Sequence, residues 1–373
     1  MRKVSVIIPT KNEEGTIGIC IRKIQKVFNE HHIDGEVIIT DNSTDKTPEI
    51  AKSLGVIVVA PDKFGYGYAY QIGFKYASGD YIVIGDGDDT YDFADIPKLL
   101  EPLEKREADL VIGSRFKGKI KKGAMPWLHR YIGNPVLTRF LNLFFKTKIS
   151  DAHSGFRAFT KKAIEKMNFK SNGMEFASEM LIEAVRKKLR IREVPITYYS
   201  RKGRSKLSSF SDGWRHLKFM LLYAPTYLYF IPGTILLLFG MVTLLAGYFH
   251  LNIGYIPGVH SMVAGSLFFI VGYQIIFLGL FAKMYGVSND LLDSDKITEF
   301  VSKYVSLEKG ATFGLIMFLT GLSYTLYLIW KWVSSGYETL PIRGQDMISF
   351  TLLIIGLQTI FSSFFLSIIR GKK

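Results

Sequence analysis

Along residues 1–200, short β-branched and apolar runs alternate with stretches whose apolar residues recur every three or four positions. The runs Val4–Ile8, Val37–Thr40, Val56–Ala60, Tyr81–Gly85, Leu110–Gly113 and Glu193–Thr197 read as strands. Between them, Thr16–Asn29, Tyr68–Ala77, Ile96–Lys105 and Glu175–Lys188 carry the period of amphipathic helices. This alternation predicts an α/β domain, a mostly parallel sheet with helices on both faces. Ligands of such sheets gather beyond the carboxyl ends of the strands. Pro9–Glu14, Asp41–Asp45, Asp86–Asp89 and Ser114–Arg115 each follow a run, so the pattern expects them on one rim.

After residue 222 the pattern changes. Tyr227–Phe249, Met262–Ala282, Phe313–Trp330 and Ile348–Ile369 are continuous apolar runs without Lys, Arg, Asp or Glu. Each is near the ~20 residues that cross ~30 Å of hydrocarbon. We therefore expect a domain over 1–200, a basic amphipathic linker over 201–224 and an all-α membrane domain of about four transmembrane helices over 225–373. The linker mixes Arg201, Lys202, Arg204, Lys206, Arg215, His216 and Lys218 with Phe210, Trp214 and Phe219, a composition suited to a helix lying in a membrane interface.

Charge sharpens this division. Residues 225–373 hold 9 of the 47 Lys and Arg and 7 of the 33 Asp and Glu, so 1–224 keep 38 against 26, a net +12. A basic domain beside apolar spans suits an anionic membrane surface or phosphate-bearing substrates, and nucleic acid is not expected, because binding it needs no spans. His250–Val259 has no Lys or Arg, whereas Lys283–Lys309 has four lysines and the tail carries Arg370, Lys372 and Lys373. These segments fall inside if the first domain is cytosolic. The N-terminal apolar run ended by Pro9 is too short for a secretory signal, which agrees. The single cysteine, Cys20, excludes an internal disulfide or a cysteine metal cluster.

The candidate chemistry lies in the loops. Asp86-Gly87-Asp88-Asp89 packs carboxylates that are best tolerated with a divalent cation between them, although exposed turns are also rich in Asp, and Gly87 is expected to let the backbone approach a ligand. A calcium loop fails because Tyr91 stands where the sharp-turn glycine belongs. Asp41 could accept from a nucleobase imide, while Thr44 or Asp45 could equally cap a helix. Asp151 and Arg157 could form an ion pair that fixes their loop, and His153 could be a metal ligand, a sugar contact or a structural histidine. Glu175 and Glu179 share a helix face that either contacts sugar hydroxyls or is merely solvated.

Taken together, Ile7-Ile8-Pro9-Thr10-Lys11-Asn12-Glu13-Glu14, Asp41-Asn42-Ser43-Thr44-Asp45, Asp86-Gly87-Asp88, Gly113-Ser114-Arg115 and Ser154-Gly155-Phe156-Arg157 resemble, in order and spacing, glycosyltransferase family two. The branch it looks like is that of the dolichyl-phosphate mannose and glucose synthases, over about residues 1–210. The resemblance implies a GT-A (Rossmann-like) nucleotide-sugar fold, a UDP- or GDP-hexose donor, Mg²⁺ or Mn²⁺, and inverting transfer to a polyprenyl or dolichyl phosphate. It implies that Pro9, Glu13 and Asp41 hold the nucleoside and that Asp86 and Asp88 serve metal and diphosphate, with Asp88 the preferred direct ligand. Arg115 would face the phosphates, Arg130, Asn134 and Lys206 the acceptor phosphate, and Glu179 the donor sugar. Lys11 departs from the family's usual tyrosine, and Asp89 from a leucine common in mannose synthases. A homo-oligomer is compatible with this resemblance.

Two other classes fit the sequence less well. A processive polysaccharide synthase would carry Gln-x-x-Arg-Trp, which none of Gln25, Gln71, Gln274, Gln345 or Gln358 begins. A transporter or flippase needs ionisable groups inside its spans, and these hold only Gln274 and Gln358 as strongly polar residues.

Overall fold

The computed structural model describes residues 3–202 and 209–371. It separates into two units, Met1–Met220 and Leu221–Lys373, so the division falls within the 201–224 segment.

In the first unit the chain runs β1 (Val4–Thr10), α1 (Ile17–Glu30), β2 (Gly35–Asp41), α2 (Thr47–Ser53), β3 (Ile57–Val59), α3 (Tyr66–Tyr76) and β4 (Tyr81–Ile84). It continues through α4 (Ile96–Glu104), β5 (Leu110–Ile120), α5 (Asn134–Phe145), β6 (Arg157–Thr160), α6 (Lys161–Lys166), α7 (Phe176–Arg186) and β7 (Ile191–Tyr198). Helix α8 (Ser209–Leu222) follows. The seven strands lie in the order β3-β2-β1-β4-β6-β5-β7. Alternation along β1 sends Val6 and Ile8 into one core with Ile17, Cys20, Ile21 and Ile24 of α1 and Leu99 and Leu103 of α4. Ile7 points the other way, where Gly73 of α3 sits so close that a Cβ would lie 2.4 Å from its Cγ2. The aromatic layer of Tyr70, Phe74, Phe169 and Phe176 completes that second face.

The sheet is mostly parallel as expected, with β6 antiparallel between β4 and β5. The first residue of β6, Arg157, is fully buried and donates to the carbonyls of Ala152, Ser154 and Ala177. Ser114 and Arg115 lie within β5 instead of past its end. A register irregularity between Ser114 and Lys119 turns the strand away, and it continues paired with β7 at Lys119–Thr197 and Ile120–Tyr198.

The second unit holds α9 (Ile231–Tyr248), α10 (Val259–Ser288), α11 (Lys296–Tyr304), α12 (Leu307–Ser334) and α13 (Gly344–Arg370). Four helical stretches, Thr226–Tyr248, Val259–Ser288, Leu307–Ser334 and Gly344–Arg370, are long and apolar enough to cross a membrane. They pack chiefly as α9 on α10 and α12 on α13. Gly233, Gly240 and Gly247 of α9 and Gly265, Gly272, Gly279 and Gly286 of α10 recur every seven residues, and Gly240, Gly265 and Gly272 bring the two backbones close. A Cβ on Gly272 would lie 2.4 Å from the backbone N of Leu237, and one on Gly356 of α13 2.4 Å from that of Phe318 in α12. Hydroxyls of Ser266 and Thr351, 2.6 Å apart, link α10 to α13.

Candidate active site

The chain passes from β1 to β2 and β3 on one side, then returns to place β4 on the other side of β1. The carboxyl ends of β1 and β4 therefore part company at a topological switch point, where an open α/β sheet leaves a crevice. Thr10–Glu14 leaves β1 there and Asp86–Asp89 leaves β4. Asp41 ends β2, paired in register with Thr10.

Asp41 is buried, and its Oδ1 accepts from the hydroxyls of Thr10 and Ser43, each at 2.6 Å. Its Oδ2 accepts the Ser43 N–H at 3.0 Å. The loops after β1 and β2 are then laced together: Asn12 N–H donates to Ser43 Oγ, Glu13 N–H to Thr47 Oγ1 and Glu14 N–H to Asp45 Oδ2. Asp45 also accepts the Thr47 N–H at 3.0 Å, so it holds the start of α2 as well as the neighbouring loop. Lys11 rests its ammonium 4.9 Å from the centre of the Phe64 ring.

Thr16 donates to the Gly87 carbonyl at 2.7 Å and so fixes the acidic turn against the β1 loop. A Cβ on Gly87 would lie 3.0 Å from Thr10 Cγ2 and 3.2 Å from Ile8 Cγ2, so β1 crowds this position as well. Asp86 keeps some solvent contact and accepts from the Tyr66 hydroxyl at 3.1 Å. Burial, and secondarily the charge of Asp88, push its carboxyl up to about 7. Gly155 makes room beside it, since a Cβ there would lie 2.8 Å from Asp86 Oδ2. Asp88 spends Oδ1 on the N–H and hydroxyl of Thr90 and turns Oδ2 toward Arg201, 3.4 Å away. Asp89, with φ at 61°, faces elsewhere and is clamped by Lys23 at 2.8 Å and Lys202 at 2.7 Å. Burial alone would raise its carboxyl, but the two lysines overcome that and lower it.

Arg115 is buried, with Nε and Nη2 each 2.8 Å from an oxygen of Asp151 and its guanidinium over the Tyr198 ring. Asp151 thus pairs with Arg115 and not with Arg157, because β6 draws Arg157 inward onto carbonyls. Arg130 lies in a π-helical turn, His129–Gly133, directly before Asn134 and α5. Its guanidinium covers Tyr131, while Asn134 reaches Met125 Sδ at 3.5 Å. Thr138 of α5 accepts the Ala152 N–H, which ties this segment to the loop holding Arg115's partner. Trp127, Leu128, Tyr131, Ile132 and Val136 are exposed along the same stretch. Lys206 lies outside the described residues.

Glu179 is buried and accepts the N–H groups of Lys170 and Ser171 at 2.8 and 2.9 Å, holding the loop whose Asn172 carbonyl receives Gly67 N–H at the start of α3. His153 lies edge-on to His216 of α8, and both of its ring nitrogens are buried without a hydrogen-bond partner among the described residues. Burial, then the charges of His216, Arg115 and Arg157, hold it well below the usual histidine range. His216, counted with the basic linker, is instead buried against Ser178, 2.9 Å from its hydroxyl. Arg201, counted in the sequence only among the linker charges, is brought beside Glu13 and Asp88, and its nearness to the end of β7 is the signal for that place.

Among the described residues no group of three or more His, Cys, Asp or Glu could hold a metal. Asp86 and Asp88 nevertheless fit a hard divalent ion, which commonly takes one or two carboxylates and leaves positions for water and phosphate. Gly155 leaves room for the Asp86 carboxylate itself, and Asp88 keeps Oδ2 clear of its bonds to Thr90.

The profile of glycosyl transferase family 2 matches residues 5–167, and that of the glycosyltransferase family 2 C-terminal transmembrane region matches 280–370. The low-salt glycan biosynthesis hexosyltransferase Agl6 of Haloferax volcanii is 46% identical over 366 residues, covering 97% of this chain and 88% of that one. A dolichyl-phosphate hexose transferase of the same organism is 32% identical over 212 residues, 56% of this chain and 89% of its own. A mycobacterial protein of known crystal structure matches with TM-score 0.51 at 22% identity, over 60% of this chain and 75% of that one, a likeness of fold.

Proposed function

We propose a lipid-directed reaction for this chain, which belongs to glycosyl transferase family 2 and is a multi-pass membrane protein: it transfers a hexose, glucose or mannose favoured, from a UDP- or GDP-sugar to a polyprenyl phosphate such as dolichyl phosphate. The observation that carries this reading is the pair Asp86 and Asp88 at the switch point, flanked by arginines, in a chain that goes on to four apolar helices. The names of the two relatives, one a hexosyltransferase and one acting on dolichyl phosphate, support the hexose and the lipid acceptor.

Asp41 would receive the base. A carboxylate has about four lone-pair sites, and Thr10 and Ser43 occupy three of them, leaving Oδ2 able to accept an imide N–H. Pro9 and Glu13 border the same rim and would line the nucleoside. Asp86 and Asp88 would hold Mg²⁺ or Mn²⁺, which when bound neutralises charge on the departing nucleotide diphosphate. Arg115 would add a cation there, preset by Asp151 and Tyr198 so that little reorganisation is needed. Arg130, Asn134 and Lys206 would receive the acceptor phosphate, Arg130 and Asn134 from a segment whose exposed apolar side suits a membrane surface. Glu179 would contribute to sugar binding through the loop it shapes.

No general base is required on this account. A phosphomonoester has its second pKa at about 6, so the lipid phosphate is a nucleophile at neutral pH. The need is to hold two anions side by side, and the +12 of residues 1–224 serves that end. The catalytic domain would face the cytosol, on the side where Lys283–Lys309 and Arg370 fall.

The test is direct. Purified protein in detergent, given polyprenyl phosphate, Mn²⁺ and a panel of UDP- and GDP-hexoses, should release free nucleotide and yield a hexosyl-phospholipid by mass spectrometry. Release of nucleotide without any glycosylated lipid would refute the acceptor, and no release at all would refute the reaction.

A further inference from the structure

Beyond β7 the chain turns back over the acids. Tyr199 N–H donates to the Thr90 carbonyl at 2.9 Å, and Tyr198 bridges to Tyr91, so the course of the chain is pinned to the acidic turn itself. Two consecutive cations follow. Arg201 Nη2 lies 2.9 Å from Glu13 Oε1 and Nη1 3.4 Å from Asp88 Oδ2. Lys202 meets Asp89 at 2.7 Å. Arg201 therefore spans the β1 loop and the β4 loop, the two sides of the switch-point crevice.

The allocation of oxygens makes this contact consequential. Asp88 Oδ1 is consumed by the N–H and hydroxyl of Thr90, and Oδ2 is the oxygen left for a cation. Arg201 faces that oxygen. A divalent ion on Asp88 would meet the guanidinium at the same atom, and two cations repel across so short a distance in a partly buried site. The two arms of Arg201 are unequal, however. Its bond to Glu13 is short and charge-assisted, whereas 3.4 Å to Asp88 is electrostatic contact without a good hydrogen bond. Arg201 Nε is also buried and unpartnered among the described residues, a donor still in want of an acceptor.

We infer that Arg201 is the resident counter-cation of this site: it screens Asp88 before the donor binds, then yields that oxygen and turns to the nucleotide diphosphate, held throughout by Glu13. This rests on the reading that Asp88 takes the metal. The exchange conserves pairing at each step. The guanidinium leaves one oxyanion for another, and the carboxylate trades a monovalent partner for a divalent one. Glu13 becomes a positioning residue for Arg201 in addition to its place beside the nucleoside. The competition would also make bare metal bind weakly and metal–nucleotide bind well, because the diphosphate receives the displaced cation.

Full-length protein in detergent is titrated with Mn²⁺ alone, free ion being read by its paramagnetic resonance, and with UDP and GDP at saturating Mn²⁺ by calorimetry. Arg201→Gln should bind Mn²⁺ alone about fivefold to tenfold more tightly, the scale of removing one adjacent like charge from a partly buried site. The same variant should bind the preferred nucleotide about tenfold more weakly, for loss of one charge-assisted contact. Arg201→Lys, which keeps the charge but not the fork, should fall between. In a Glu13→Gln background, the effect of Arg201→Gln on nucleotide affinity should shrink. Unchanged or weaker Mn²⁺ binding by Arg201→Gln, with binding still lost in Asp88→Asn, would overturn the inference alone. Equal Mn²⁺ uptake by wild type and Asp88→Asn would overturn the metal assignment and the inference with it. Fully additive effects of the Glu13 and Arg201 changes would overturn the tether.

Discussion

The two units solve burial in opposite ways. Residues up to Met220 enclose whole charges: Arg115 against Asp151, Arg157 against three carbonyls, and Glu179 against two N–H groups. Among the described residues beyond Leu221, the buried charges Lys283 and Asp346 stand toward helix ends, and the helices meet through glycine, serine and threonine. Water explains the contrast. In the first unit apolar burial supplies stability, so polar atoms can be enclosed wherever each finds a partner. Lipid supplies no such drive between helices, so close backbone approach and a few hydroxyl bonds hold the second. A catalytic site for anions can be built in the first manner and not readily in the second.

Four changes would break or sharpen this contrast. Asp88→Asn should lower turnover by at least about 10²-fold, more than loss of an outer-shell partner costs, with thermal stability retained; near-normal nucleotide release would show that the metal lies elsewhere. Arg157→Met should destabilise the first unit by about 3 kcal/mol or more, since buried carbonyls lose their donor, read as a lowered denaturant midpoint. If that midpoint stays put, enclosed charge is not what holds the β6 loop. Gly272→Val should cost about 1–3 kcal/mol by overpacking the α9–α10 seam, seen as earlier thermal aggregation in detergent while UDP or GDP affinity is kept. Loss of nucleotide binding in that variant would mean the site depends on the membrane helices.

The fourth effect is a pH dependence. Asp86 titrates near 7 in the folded chain against about 3.9 when unfolded, so the folded state binds the proton more tightly. Its contribution to the metal-free protein is fully present below the unfolded value and is lost as pH rises through about 7. Thermal melts without metal should therefore rise as pH falls across that window, and Asp86→Asn should flatten the trend. An unaltered slope would show that the trend belongs to other groups.

Much of this was legible in the chain. The period-two and period-3.6 patterns mark most strands and helices of the first unit, and the rim loops stand where strand ends put them, save for Ser114 and Arg115. What pattern could not reveal were elements whose polar residues are buried. Arg157 hides β6 behind a charge, and His216 passes for linker while packing on Ser178. Such cases share a cause, because a hydropathy pattern registers a residue's own preference and not the partner that overrides it.

The sequence by itself determined that an α/β domain precedes four apolar spans, that its charge lies with the domain, and that acidic and basic loops follow the strands. Local preference and periodicity act over short distances along the chain, and those features need nothing more. Only the tertiary structure decided which cation meets which acid: Arg115 with Asp151, the lysines with Asp89, and Arg201 between Glu13 and Asp88. Residues 188 positions apart share that last contact. Sheet order brings them together, and the allocation of each carboxylate oxygen then settles the pairing.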